Sequence, residues 1–333
     1  MALTPICCKI LEHILHSNII QHFNKHHILT SKQHGFRQHH SCESQLLLTV
    51  DDLAKALDDQ IPVDMVIMDF SKAFDTVPHM RLLHKLENYG VVGRTHTWVS
   101  NFLTRRKQRV VVDGDHSQWV PVRSGVPQGT VLGPLLFLAY INDLPNNISS
   151  EVRLFADDCV MYRPIHDNSD VESLQQDLDK LNVWQNTWQM QFNVQKCYTL
   201  KITHSRQKPD HQYKLGQNIL QETETHTYLG VHLTKDLKWD VHVNHAVAKA
   251  KRVLGVVCRN LHPCTTTLKA TAYKALVRPH LEYCCCVWDP ANKELIQKVE
   301  SVQRKAARFV CRDYGRSSRD ANCVGAGSTA PRK

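Results

Sequence analysis

The sequence predicts an α+β fold, with helices around a small antiparallel sheet and a wholly helical region after it. Three observations carry that expectation. Val63–Met68 is a short apolar run, rich in β-branched residues, that follows Pro62 and ends at Asp69: the pattern of a buried strand running into a carboxylate. Val152–Phe155 and Cys159–Tyr162 form a second strand unit turning on Asp157-Asp158. From residue 240 onward the apolar spacing becomes helical.

The elements follow in order. Residues 5–30 place Ile10, Leu11, Ile14, Leu15, Ile19 and Phe23 at helical spacing, so a helix or two opens the chain. A Gly35-Phe36-Arg37 turn precedes an amphipathic helix over 44–59, with Leu46, Val50, Leu53 and Leu57 on one face. After the first strand come short helices at 79–89 and 94–104. Gln108–Val112 and Trp119–Arg123 then make a hairpin around Asp113-Gly114. The turn-rich Ser124–Gly129 segment leads into an apolar helix over 131–143. A long amphipathic helix at 169–190 follows the second strand unit, with short strands to about Val231. Helices are expected at 240–260, 266–282 and 292–311, and the Gly-, Ser- and Arg-rich tail from 313 reads as disordered.

Composition narrows the class. A chain of 333 residues can hold two or three subdomains. A net charge of +9 shifts the odds modestly toward an anionic partner. The 12 cysteines are adjacent (Cys7-Cys8, Cys284-Cys285-Cys286) or isolated, with no Cys-x-x-Cys pair. That pattern suits neither a disulfide ladder nor a structural zinc site, and points to thiols in a reducing compartment. His22, His26 and His27 lack ligand companions and read as polar surface. The longest apolar run, Val131–Ile141, is about half a membrane span and contains Gly133 and Pro134, so it reads as a buried helix. Lys9 and Glu12 interrupt any early secretory signal. The expected location is the nucleus or cytoplasm.

Phe155-Ala-Asp-Asp158 carries the chemistry. Two adjacent acids between apolar strands raise each other's pKa unless a cation lies between them, and hard carboxylate oxygens suit Mg²⁺. The bland alternative, a solvated Asp-Asp turn, weakens because both flanks are apolar. If the strand ending in Asp69 is a neighbour, three carboxylates meet at one sheet edge. Such an edge can hold two metals roughly 3.5–4 Å apart for in-line phosphoryl transfer.

Five segments in this order closely resemble reverse transcriptases: VIMDFSKAFDTVPH (66–79), SGVPQGTVLGPLLF (124–137), FADD (155–158), Asn193-x-x-Lys196 and YLGV (228–231). The variety resembled is that of non-LTR, LINE-type, jockey-like retrotransposons, and the likeness runs from about Thr4 to Arg312. It implies a right-hand polymerase: partial fingers over 1–62, a palm over 63–235 with fingers elements inserted at about 79–123, a helical thumb over 236–312, and the tail. The implied activity is RNA-directed DNA polymerisation, adding dNTPs to a DNA primer on an RNA template with two Mg²⁺ ions, or Mn²⁺ in their place.

Residue by residue, the resemblance makes Asp69 and Asp157 the principal metal ligands and Asp158 the adjacent acid. Phe74 takes the place of an aromatic gate against the 2′-hydroxyl. Phe70 falls in the same nucleotide-side motif, although as a residue it reads better as a core aromatic. Gln128 and Gly129 line the nucleotide pocket, and Arg37 contacts the triphosphate. Lys196 serves as general acid for pyrophosphate, while Tyr228, Leu229 and Gly230 grip the primer. Asp75 and His79 are expected to cap the turn and the following helix. Lys249, Lys251, Arg252, Arg259, Lys269, Lys274 and Arg278 would track duplex phosphates, some of them being plain solvated surface.

Departures from the family also bear on function. The chain starts inside the family's first fingers block, with no endonuclease before it and no Cys/His knuckle after it, so an N-terminally truncated retrotransposon product is expected. A catalytically silent remnant that at most binds nucleic acid is the alternative. A maturase or telomerase is disfavoured by the LINE-like Leu276-Val-Arg-Pro-His-Leu-Glu-Tyr283 and Val287-Trp-Asp-Pro290.

Overall fold

The computed structural model describes residues 5–104, 106–205 and 211–312. The tail expected to be disordered lies outside the described residues. The chain divides into two compact units, Met1–Glu224 and Thr225–Lys333. The division falls ahead of residue 235, so the 225–234 hairpin groups with the helices that follow.

The first unit is organised on a five-stranded sheet in the order Gln221–Thr223, Tyr198–Ile202, Val63–Met68, Asp158–Pro164, Glu151–Phe155. Val63–Met68 is central and buried at every position, which explains its near-continuous apolar sequence. It runs antiparallel to both neighbours, with Met68 opposite Cys159 and Ile67 opposite Tyr198. The expected antiparallel sheet is thus present, with one parallel edge pair where Gln221–Thr223 lies along Tyr198–Ile202. Asp64, inside the central strand, accepts hydrogen bonds from Tyr213 Oη at 2.7 Å and His211 Nε2 at 2.5 Å. Paired in this way, a carboxylate only 1% exposed is tolerated in a core strand.

Helices Ile6–Lys25 and Leu132–Ile141 pack together against this sheet's core. Leu132–Ile141 is apolar on every face because it is buried on nearly every face. No described helix is long and apolar enough to cross a membrane. Its first turn is capped from a distance: fully buried Glu12 accepts through Oε2 from Val131 N–H (2.8 Å) and Leu132 N–H (3.2 Å). A carboxylate placed there satisfies orphan donors and meets the positive end of the helix dipole. Cys42–Asp58 begins with a reciprocal Ser41–Ser44 capping box. The Asp113-Gly114 hairpin forms with both residues left-handed (φ 50° and 93°). Its ladder is broken into two short pairs, Val111–Val112 with Asp115–His116 and Lys107–Gln108 with Val120–Pro121.

The second unit opens with hairpin Thr225–Tyr228/Val231–Thr234 and continues as helices, of which Asp240–Asn260 packs on Lys293–Cys311. Two of the expected phosphate-tracking residues are otherwise engaged. Lys269 is 1% exposed with its ammonium 4.7 Å over the Phe309 ring, and Arg278 donates to Glu282 at 2.5 Å. The resemblance to a thumb placed Lys269 among the phosphate-tracking cations; its position on an inward face removes it from them.

Candidate active site

Two strand ends bring the acids together. Asp69 follows Met68 on the central strand, and Asp158 precedes Cys159, the partner of Met68, on its neighbour. Asp157 occupies the tight turn between the Phe155–Asp158 pair. Burial raises the Asp157 pKa and Asp69 adds to it, with a backbone hydrogen bond opposing. Asp158 is solvent-accessible at its edge, yet crowding by the surrounding chain and then the charges of Asp157 and Asp69 push it up to about 6. The cluster therefore carries more negative charge than its surroundings neutralise.

One cation does reach it. Asn193 N–H donates to the Asp69 carbonyl at 2.7 Å, and the Val194–Lys196 turn then swings Lys196 Nζ to 3.1 Å from Asp69 Oδ2. The Asn-x-x-Lys spacing is thus a backbone tether to the Asp69 strand end plus one helical turn. Among the described residues no three carboxylate, histidine or cysteine side chains close into a ready-made metal cage. Mg²⁺ does not need one, since it commonly binds one or two carboxylates and completes its shell with waters and substrate phosphates. An all-oxygen donor set with uncompensated charge fits such an ion.

The two phenylalanines part company. Phe70 is 3% exposed, stacked on Phe192 at 4.4 Å and close to Trp184. This corrects its placement among the nucleotide-binding residues: its ring is enclosed in the core and presents no face to a ligand. Phe74 is half-buried, stacked on Phe137 at 4.2 Å, with the edge of Phe36 at 6.3 Å.

The 124–129 loop is stapled to the Phe74 segment. Val126 N–H donates to Phe74 O, Gly125 N–H to Val77 O, and Ser124 Oγ to Asp75 O, all within 2.9 Å. Gly125 has φ 89°, and a Cβ there would lie 2.7 Å from the Asp75 carbonyl oxygen, so only glycine permits this approach. His79 Nε2 donates to Gly125 O at 2.9 Å. The His79 side chain and the backbone carbonyl of Asp75 thus join this loop to 75–79; the expected capping is not seen, since neither Ala73–Thr76 nor His79–Asn88 has a side-chain cap. Gln128 and Gly129 are exposed at the loop's tip. Arg37 is part-buried, makes a long 3.4 Å contact to Thr30 O, and is placed beside Phe36.

Tyr228, Leu229 and Gly230 belong to the second unit. Leu229 and Gly230 form a two-residue turn with φ 45° and 81°, Tyr228 is buried, and Tyr283 Oη donates to Leu229 O at 2.8 Å. In the first unit, Gln33 contacts Ala156 in the turn that carries Asp157, and Glu12 caps the helix that follows the 124–129 loop. Gln33 shares the Gln33-His-Gly-Phe-Arg37 segment with Arg37, the expected phosphate contact. Nothing in the sequence marks Glu12 except that it is the one acidic residue of its helix.

Residues 1–233 match the family described as reverse transcriptase (RNA-dependent DNA polymerase). The chain is 26% identical over 319 residues to the probable RNA-directed DNA polymerase from transposon X-element of Drosophila melanogaster, covering 93% of this chain. It is 26% identical over 322 residues to the polymerase from mobile element jockey of the same organism, again over 93%. The transposon BS polymerase of that fly is 28% identical over 324 residues and 91%. In each case the chain spans 35% of the relative's length. Apo telomerase from Candida Tropicalis superposes with a TM-score of 0.50 at 9% identity, over 90% of this chain and 55% of that one, a likeness of fold. The fold is that of a right-hand polymerase, and the chain belongs to the reverse transcriptase (RNA-dependent DNA polymerase) family.

Proposed function

We propose that this chain is the RNA-directed DNA polymerase core of a non-LTR retrotransposon, extending a DNA primer on an RNA template with dNTPs by two-metal phosphoryl transfer. The observation that carries the reading is the meeting of Asp69 with the Asp157-Asp158 turn at the end of adjacent antiparallel strands. Asp69 and Asp157 would hold Mg²⁺ (or Mn²⁺), with Asp158 beside them. Bound divalent ions would lower the pKa of the primer 3′-hydroxyl and offset charge on the transferring phosphate.

The remaining roles belong to the chain itself. Phe74, held flat on Phe137, would exclude a 2′-hydroxyl from the sugar pocket. Gln128 and Gly129 would meet the incoming nucleotide, and Arg37 its phosphates through a guanidinium fork. Lys196, beside Asp69, would protonate the departing pyrophosphate. Tyr228, Leu229 and Gly230 would contact the primer end. A nuclear or cytoplasmic location goes with the adjacent and isolated cysteines.

The test is primer extension on an RNA template with Mg²⁺, comparing wild type with Asp157→Ala. Extension that the substitution abolishes is the expected result. Folded wild-type protein that extends nothing would overturn the polymerase reading in favour of a silent remnant.

A further inference from the structure

The turn that carries Asp157 is gripped from outside its own hairpin. Ala156, the first residue of that turn, has φ 52°. A non-glycine residue pays roughly 1–2 kcal/mol to sit in the left-handed region, so something must hold it there. Its neighbours in the ladder do not: the Phe155–Asp158 pair closes the hairpin below it.

The grip comes from residues 33–35. Gln33 Oε1 accepts from Ala156 N–H at 2.9 Å and from Gly35 N–H at 2.7 Å, while Nε2 donates to Ala156 O at 3.3 Å. Because two backbone N–H groups point at one end of the carboxamide, that end must be the oxygen, and the amide orientation is settled by its donors. Gln33 is 3% exposed, so water offers no ready substitute for these bonds. The backbone on either side is paired too: Gln33 bridges Leu154 in parallel, with His34 N–H to Leu154 O at 2.9 Å and Leu154 N–H to Lys32 O at 3.0 Å. At Gly35 a Cβ would stand 2.2 Å from Ala156 N. Only glycine lets this segment lie flat against the turn.

We infer that Gln33 is a positioning residue, whose carboxamide clamps the left-handed Ala156 and so sets the direction in which Asp157 presents its carboxylate. The inference rests on the metal-site reading above and adds to it a residue more than a hundred positions away in sequence. A simple packing role for Gln33 would need neither hydrogen bonds on both backbone groups of one residue nor a glycine beside them. The clamp predicts a specific defect: the protein folds, but its carboxylates are misaligned for a cation.

The experiment titrates Mn²⁺ against the full chain, reading free Mn²⁺ by its electron paramagnetic resonance signal, alongside a thermal melt. Wild type, Asp157→Asn and Gln33→Met are compared, since methionine keeps the length and removes every hydrogen bond. Loss of a group supporting metal ligands typically costs 10–100-fold in affinity, so Gln33→Met should weaken Mn²⁺ binding at least about 10-fold while remaining folded. In primer extension it should lower kcat and leave KM for dNTP nearly unchanged. Folded Gln33→Met that binds Mn²⁺ as wild type does would overturn the clamp and leave the metal site standing. Wild type that binds no Mn²⁺ would instead overturn the metal-site reading itself. If Gln33→Met does not fold, Gln33→Asn takes its place, since it keeps the carboxamide but is one methylene too short to reach both Ala156 N–H and Ala156 O. Wild-type Mn²⁺ binding by folded Gln33→Asn overturns the inference, and a comparable loss supports it.

Discussion

Removing Glu12 should destabilise the first unit through a helix more than a hundred residues away in sequence. Glu12 Oε2 accepts from Val131 N–H at 2.8 Å and Leu132 N–H at 3.2 Å, and the side chain is fully buried. In Glu12→Ala both donors lose a charged partner. A hydrogen bond to a charged group contributes about 1.5–3 kcal/mol, and only the shorter of these two has near-optimal length. A buried charge at a helix N-terminus contributes up to ~2 kcal/mol, overlapping with the same bonds. Net destabilisation should therefore be about 3 kcal/mol. For a unit of this size, with roughly 2–4 °C per kcal/mol, that lowers Tm by about 6–12 °C. Glu12→Gln should also destabilise, because Oε1 has no hydrogen-bond partner and an amide NH₂ there would be buried without an acceptor. Circular dichroism melts of the purified variants measure the shift. An Ala variant melting within about 2 °C of wild type would refute the capping argument.

Two further outcomes follow from the site. Phe74→Val should raise ribonucleotide incorporation relative to deoxyribonucleotide in primer extension, because the ring stacked on Phe137 is what would meet a 2′-hydroxyl; an unchanged ratio removes the gate. Asp158, raised to about 6 by crowding and its acidic neighbours, keeps its proton in competition with a cation below that pH. Mn²⁺ affinity should rise from about pH 5 to pH 7 and then level off. The sign for folding is opposite: a carboxyl whose pKa rises on folding contributes stability fully present below its unfolded pKa near 4, and lost as pH climbs through about 6. Affinity that is flat across this range would show that Asp158 does not govern the site.

The local patterns were legible. Val63–Met68 announced a buried strand by its composition, and Leu132–Ile141 a buried helix. Asp113-Gly114 announced its turn because left-handed backbone is a local property of those residue types. Phe70 and Phe74 lie four residues apart in one motif; the residue itself favoured the core for Phe70, but no pattern named the partners of either ring. Which ring is enclosed by Phe192 and Trp184 and which rests on Phe137 depends on partners distant in sequence. Lys269 shows the same limit, since periodicity does not reveal that Phe309 lies above its ammonium.

By itself, the sequence determined the identity and order of the carboxylates, the strand and helix types around them, and the family likeness those motifs carry. Only the tertiary structure revealed that Glu12 caps a helix at 131, that Asn193 tethers Lys196 to Asp69, and that Gln33 grips Ala156. The physical reason is the range of the contacts. Helical and strand periodicities record which face of one element is buried, whereas a single hydrogen bond between residues over a hundred positions apart leaves no period in either segment.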